Sequence, residues 1–156
     1  PTEPNYIMGM LTEVPMGNAL AVEEAPEGEV LEMAVDSGAS VTVIGPDMVS
    51  AIGASGARQG VKDEVADGSY IDHLGEKSFT AFTDVGHEHY LTAQVTEVNK
   101  ALLSVVKTVN AGNRVVFDSD YSYLEDKHTG HQSPIIRKDG AYVLKMWIPR
   151  NQSSPF

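Results

Sequence analysis

The chain has 156 residues, 42% of them hydrophobic, with 14 Gly, 8 Pro and no Cys. That length makes one domain able to bury a core without disulfides, and the lack of thiols excludes a disulfide framework, a cysteine nucleophile and cysteine-ligated metal sites. A formal charge of -11, spread along the chain, argues against direct contact with nucleic-acid phosphates.

No apolar run approaches the roughly eighteen residues that span a bilayer, so no membrane partner is expected. The start, PTEPNY, has neither the basic nor the apolar part of a secretory signal, and no initiator Met. The chain is therefore expected to be a piece of a longer polypeptide. Its Gly and Pro content predicts many turns and a mostly-β fold.

Residues 1–28 have weak periodicity and predict a flexible flanking segment or a loosely held strand. Residues 30–35 predict a strand that stops at Asp36-Ser37-Gly38, and residues 41–44 a second, β-branched strand. Pro46-Asp47 predicts a short helix through about Ile52, since Pro suits the first turn and Asp the positive end of the dipole. Residues 53–60 predict a loop. Segments 62–66 and 70–74 flank Asp67-Gly68, a pair that accepts the positive φ of a tight hairpin turn.

Further on, segments 79–83 and 89–95 predict a strand pair across Asp84-Val85-Gly86. Apolar residues at 102, 105, 106 and 109 give helical spacing over 101–111, with Gly112 at the C-terminal cap. Residues 115–117 predict a strand, and Asp139-Gly140 a hairpin between 135–136 and 142–148. The expected division is a flanking segment at 1–28, a core at 29–125, and at 126–156 a β-hairpin extension, a dimer strand or an interdomain segment.

The stretch LEMAVDSGAS, residues 31–40, is the candidate for chemistry. An acid directly after a hydrophobic strand, followed by small residues and Gly, sits on a sharply turned loop at the mouth of a sheet. Gly38 lets the backbone turn and brings its amide near the Asp36 carboxylate. Ser37 can donate or accept a hydrogen bond locally, and Ala39 leaves room for another backbone. Asp and Ser also initiate ordinary turns, and D-S-G alone says no more than that. The apolar stretches on both sides place this loop at the centre of a sheet.

Strand, Asp36-Ser37-Gly38-Ala39, β-branched strand, hairpin, apolar pair and helix, in that order, resemble the retropepsin family of aspartic proteases. Within it, the chain is most similar to the domain of Copia-like LTR-retrotransposon polyproteins. Val35-Asp36-Ser37-Gly38-Ala39-Ser40 resembles the catalytic loop, and Val65-Ala66-Asp67-Gly68-Ser69 with Gly75 the flap hairpin over substrate. Ala101-Leu102-Leu103-Ser104-Val105 resembles the apolar strand and helix start behind that loop. Residues 112–117 and 139–144 resemble the stretch between protease and integrase.

The resemblance implies a retropepsin-like β-barrel with one or two short helices, homodimeric, that cleaves its own polyprotein in the cytoplasm or in particles assembled there. It implies catalytic roles for Asp36, Ser37 and Gly38, and contact with a polypeptide substrate by Ala39, Ala66, Asp67, Gly68 and Ser69. No cofactor and no metal is called for. The mechanism needs two carboxylates sharing one proton, one activating water and the other stabilising the oxyanion. Asp-Ser-Gly-Ala occurs once in the chain, so Asp36 is expected to meet its own symmetry mate on a two-fold axis. In the family the hydroxyl after the catalytic Asp bonds across the two subunits, and Ser37 stands there. Two departures are the Gly-poor flap and Ser104, where many retropepsins have Gly. The alternative is a retropepsin-fold dimerisation or peptide-binding module with weak or no catalysis, against which the intact Asp-Ser-Gly-Ala argues.

Competing constellations are thinner. His87-Glu88-His89 and His128-Thr129-Gly130-His131 could be pictured around zinc, but they lack a helix motif and read as exposed turn histidines. There is no Gly-x-Ser-x-Gly elbow and no phosphate-binding Gly-Lys-Ser/Thr loop.

Overall fold

The computed structural model describes residues 27–56, 62–64 and 70–152. Strands dominate them: β1 (Gly28–Asp36), β2 (Val43–Ile44), β3 (Lys62–Glu64), β4 (Tyr70–Thr83), β5 (Glu88–Thr96) and β6 (Ala101–Ser104). Helix α1 (Val105–Asn110) follows, then β7 (Asn113–Val116), β8 (Ser122–Asp126), β9 (Gln132–Lys138) and β10 (Ala141–Pro149). They form one sheet in the order β3-β4-β5-β2-β6-β1-β10-β9-β8-β7, with an additional pairing of β4 and β10. That pairing sets Thr83 beside Met146 and Phe82 beside Trp147, and closes β4, β5, β2, β6, β1 and β10 into a ring.

The ring is built on the two-residue period of its strands. On β1, Leu31, Met33 and Val35 are buried while Val30 and Glu32 are exposed, so one face fills the ring and the other meets solvent. Met33, Ile44, Val49, Phe79, Val95, Leu144 and Ile148 are the largest fully buried apolar side chains of the core. On its flanks β1 runs antiparallel to β10, from Gly28↔Pro149 to Ala34↔Val143, and parallel to β6, from Met33↔Ala101 to Asp36↔Ser104. A Cβ on Gly28 would lie 2.5 Å from both the Ile148 carbonyl oxygen and the Trp147 ring, so the close approach of β10 requires Gly there.

Of the three expected hairpins, two have their turns within the described residues, and both are present. The β4–β5 pair turns at 84–86, with the Gly86 N–H donating to the Thr83 carbonyl (2.8 Å) and Gly86 at φ 86°. The β9–β10 pair turns at Asp139-Gly140, whose φ values of 52° and 80° match the tight turn that this dipeptide favours. Residues 126–156 thus include a hairpin whose second strand, β10, lies inside the ring beside β1.

Both helix expectations need correction. Residues 46–52 form consecutive turns, with Met48 N–H on the Gly45 carbonyl and Ile52 N–H on the Val49 carbonyl, each at 3.2 Å. Fully buried Val49 has φ 52°, a left-handed conformation that a right-handed helix cannot contain and that costs a β-branched residue about 1–3 kcal/mol. Distant charges hold it. The Glu29 carboxylate accepts from the Val49 and Ser50 amides (2.9 and 3.0 Å), and the buried Lys77 ammonium donates to the Met48 and Val49 carbonyls (2.9 and 3.0 Å).

The second expected helix, 101–111, is split. Residues 101–104 join the sheet beside β1, and only Val105–Asn110 are helical, starting where Ser104 caps them with its side chain.

Candidate active site

Asp36 is the last residue of β1, half-buried at the end of the ring. Its Oδ1 accepts the Gly38 N–H at 2.7 Å, and its carbonyl takes the Ala39 N–H at 3.4 Å. A Cβ at position 38 would sit 3.3 Å from that same Oδ1, so a larger residue would crowd the contact. Ser37 and Gly38 are exposed and Ala39 is half-buried. Asp36, Ser37, Gly38 and Ala39 therefore come together as one short loop that orients a single carboxylate at the surface of the chain.

The loop is anchored from behind. Ser104, wholly buried at the end of β6, donates its hydroxyl to the Ala39 carbonyl at 2.7 Å. The Ser104 amide donates to Thr42 Oγ1 at 3.1 Å, and the Thr42 carbonyl accepts from the Gln94 amide on β5 at 2.8 Å. On its other side the Ser104 hydroxyl accepts the Lys107 N–H (3.1 Å), and its carbonyl accepts from Thr108 Oγ1 (2.7 Å). From the sequence, Ser104 is expected in the stretch behind the loop but with no bond to it, and Thr42 has no expected role. The available signal was a Ser directly before a helix start, which marks a cap.

The flap residues Ala66, Asp67, Gly68 and Ser69 lie outside the described residues. The strands that flank them are antiparallel, with Glu64 opposite Tyr70 and Lys62 opposite Asp72.

His128 and His131 are exposed as expected, whereas His87 and His89 are half-buried. His87 is half-buried, stacked on the exposed His131 ring (centroids 4.3 Å, 15° between planes), with its Nδ1 3.2 Å from Ser133 Oγ. The buried Ser133 hydroxyl donates in turn to Thr83 Oγ1 at 2.7 Å, tying the β8–β9 turn to the β4–β5 turn. Burial, then the neighbouring His131 and His89 rings, pushes the His87 imidazole down from its ordinary value, with Asp126 opposing. His89 is also pushed down, by burial, with Asp126 and Glu88 opposing. Among the described residues no group of three or more His, Asp or Glu could hold a metal ion, and no helix is long and apolar enough to cross a membrane.

This arrangement predicts acid sensitivity. Because the folded state lowers the His87 pKa, the unfolded chain binds more protons as pH falls through about 6.5. The stabilising effect of neutral His87 is complete above that pH and is lost below it, down to the depressed folded value. The melting temperature should therefore fall between about pH 7 and 5, and His87→Gln should flatten that slope. An unchanged slope in the variant would place the acid sensitivity elsewhere.

Protein-family models, curated proteins and solved structures were compared with the chain, and none matches it.

Proposed function

We propose that this chain is a retropepsin-like aspartic endopeptidase that works as a homodimer, each copy of Asp36 supplying one of two catalytic carboxylates. The observation that carries the reading is the loop at the end of β1, where Gly38 N–H fixes one oxygen of a half-buried Asp36 carboxylate. A closed ring of strands with β1 and β6 side by side supports it, since that gives the loop a rigid base.

In the dimer the two Asp36 side chains face each other across the two-fold axis and share one proton, because neighbouring carboxylates do not both ionise. The charged carboxylate takes a proton from a water between them, and that water attacks the scissile carbonyl. The protonated carboxylate donates to the oxyanion, and the leaving nitrogen is protonated as the tetrahedral intermediate collapses. The substrate is an extended polypeptide bound by strand addition against this loop, the parent polyprotein being the natural one.

The test is incubation with a mixed peptide library between about pH 4 and 7, where a shared-proton dyad holds one charge, read by mass spectrometry. Cleavage is expected, with a specific rate that rises with protein concentration as dimers form. A stable solution dimer that cleaves nothing would contradict the catalytic reading and favour a peptide-binding module.

A further inference from the structure

We infer that Ser104 is a positioning residue for the Asp36 loop: its buried hydroxyl, bound to the Ala39 carbonyl, sets the Ala39–Ser40 peptide plane. The inference rests on the reading of Asp36 as catalytic. Every polar group of Ser104 is committed. Two bonds run to the loop, Oγ to the Ala39 carbonyl (2.7 Å) and N–H to Thr42 Oγ1 (3.1 Å). Two run to α1, from the Lys107 amide to Oγ (3.1 Å) and from Thr108 Oγ1 to the carbonyl (2.7 Å).

A helix cap alone would need only an acceptor, and any side-chain oxygen would serve. The second bond needs a donor on the same atom, and a hydroxyl supplies both within the space of a fully buried Ser. With its one proton directed at Ala39 and a lone pair at Lys107, the hydroxyl has no free rotation left. Register adds the geometry. Ser104 lies directly beside Asp36 in the parallel β1–β6 pair, so the bond to Ala39 crosses the base of the turn that Asp36 opens. The loop is thereby closed at both ends, by Gly38 N–H on the Asp36 carboxylate and by Ser104 on the Ala39 carbonyl. Without the hydroxyl the Ala39 carbonyl is buried unpaired or turns toward water, and a turned peptide plane shifts Gly38 relative to the carboxylate.

The test compares Ser104→Ala, Ser104→Thr and Thr108→Val with wild type, by cleavage kinetics and by the pH dependence of the Gly38 amide resonance, which reports the Asp36 carboxylate. Thr108→Val removes a bond on the helix side only and controls for general loss of stability. Ser104→Ala is expected to lower kcat about ten- to a hundred-fold, the scale of a small misplacement of reacting groups, with KM little changed. Its Gly38 resonance should lose its wild-type response to pH. Ser104→Thr, which keeps the hydroxyl, should restore both, and Thr108→Val should leave both intact. Should Ser104→Ala fail to fold, Ser104→Cys, nearly equal in size and a weak donor, is expected to show the same two losses.

Wild-type kcat and a wild-type Gly38 response in Ser104→Ala, or in Ser104→Cys where that variant is used, would overturn the assignment. If the wild type itself cleaves nothing, the protease reading fails, and the Gly38 response still decides whether Ser104 sets the loop.

Discussion

Replacing Asp36 by Asn is expected to lower peptide cleavage by at least about 10³-fold while leaving the fold in place, as removal of a general acid–base group does. The substitution separates chemistry from structure because the amide oxygen of Asn can still accept the Gly38 N–H that Asp36 Oδ1 accepts at 2.7 Å. The loop keeps its shape and loses its charge. Asp36 is half-buried and makes no ion pair among the described residues, so unfolding stability should change by no more than about 0.5–1 kcal/mol. Kinetics on the two proteins, with denaturant unfolding alongside, check this directly. Cleavage by the variant at the wild-type rate would remove Asp36 from the mechanism.

The largest stability effect is expected at Phe79. This side chain is 1% exposed on β4, opposite Leu91 of β5, and is the largest wholly buried side chain of the core. Phe79→Ala removes a ring that the surrounding strands can only partly replace, and should cost about 3–5 kcal/mol. Against the roughly 5–15 kcal/mol that holds a typical domain folded, that is a large fraction of the total. Urea unfolding should show a much lower midpoint with the slope preserved. Val85→Ala, at the exposed turn between β4 and β5, should change stability by less than about 0.5 kcal/mol. Equal effects at the two positions would contradict the placement of the core.

What was legible in the sequence is what depends on near neighbours. The mostly apolar run of residues 30–35 predicts β1, and Asp139-Gly140 predicts a hairpin whose two turn residues have positive φ. The Gly38 contact with Asp36 spans two residues and follows from spacing alone. What was missed depends on distant partners. Pro46-Asp47 is a sound helix start by local rules, but Glu29 and Lys77, 20 and 28 residues from Val49, hold that segment in turns. Helical spacing over 101–111 is real, yet its first four residues find a parallel strand partner in β1.

The candidate site divides in the same way. Asp36, Ser37, Gly38 and Ala39 are contiguous, and so were readable as a unit. Ser104 and Thr42, which support that unit, touch each other across 62 residues, and Ser104 reaches Ala39 across 65. His87 and Ser133, 46 residues apart, meet only because β4 and β10 close the ring. No local pattern carries contacts of that range.

The most direct measurement mixes wild-type protein with Asp36→Asn at fixed total concentration, well above that needed for dimerisation, and follows peptide cleavage. If each site takes one Asp36 from each of two copies, activity should follow the square of the wild-type fraction, about one quarter at an equal mixture. A linear fall, to about one half at the same mixture, would mean that one copy carries a complete site and would contradict the shared dyad.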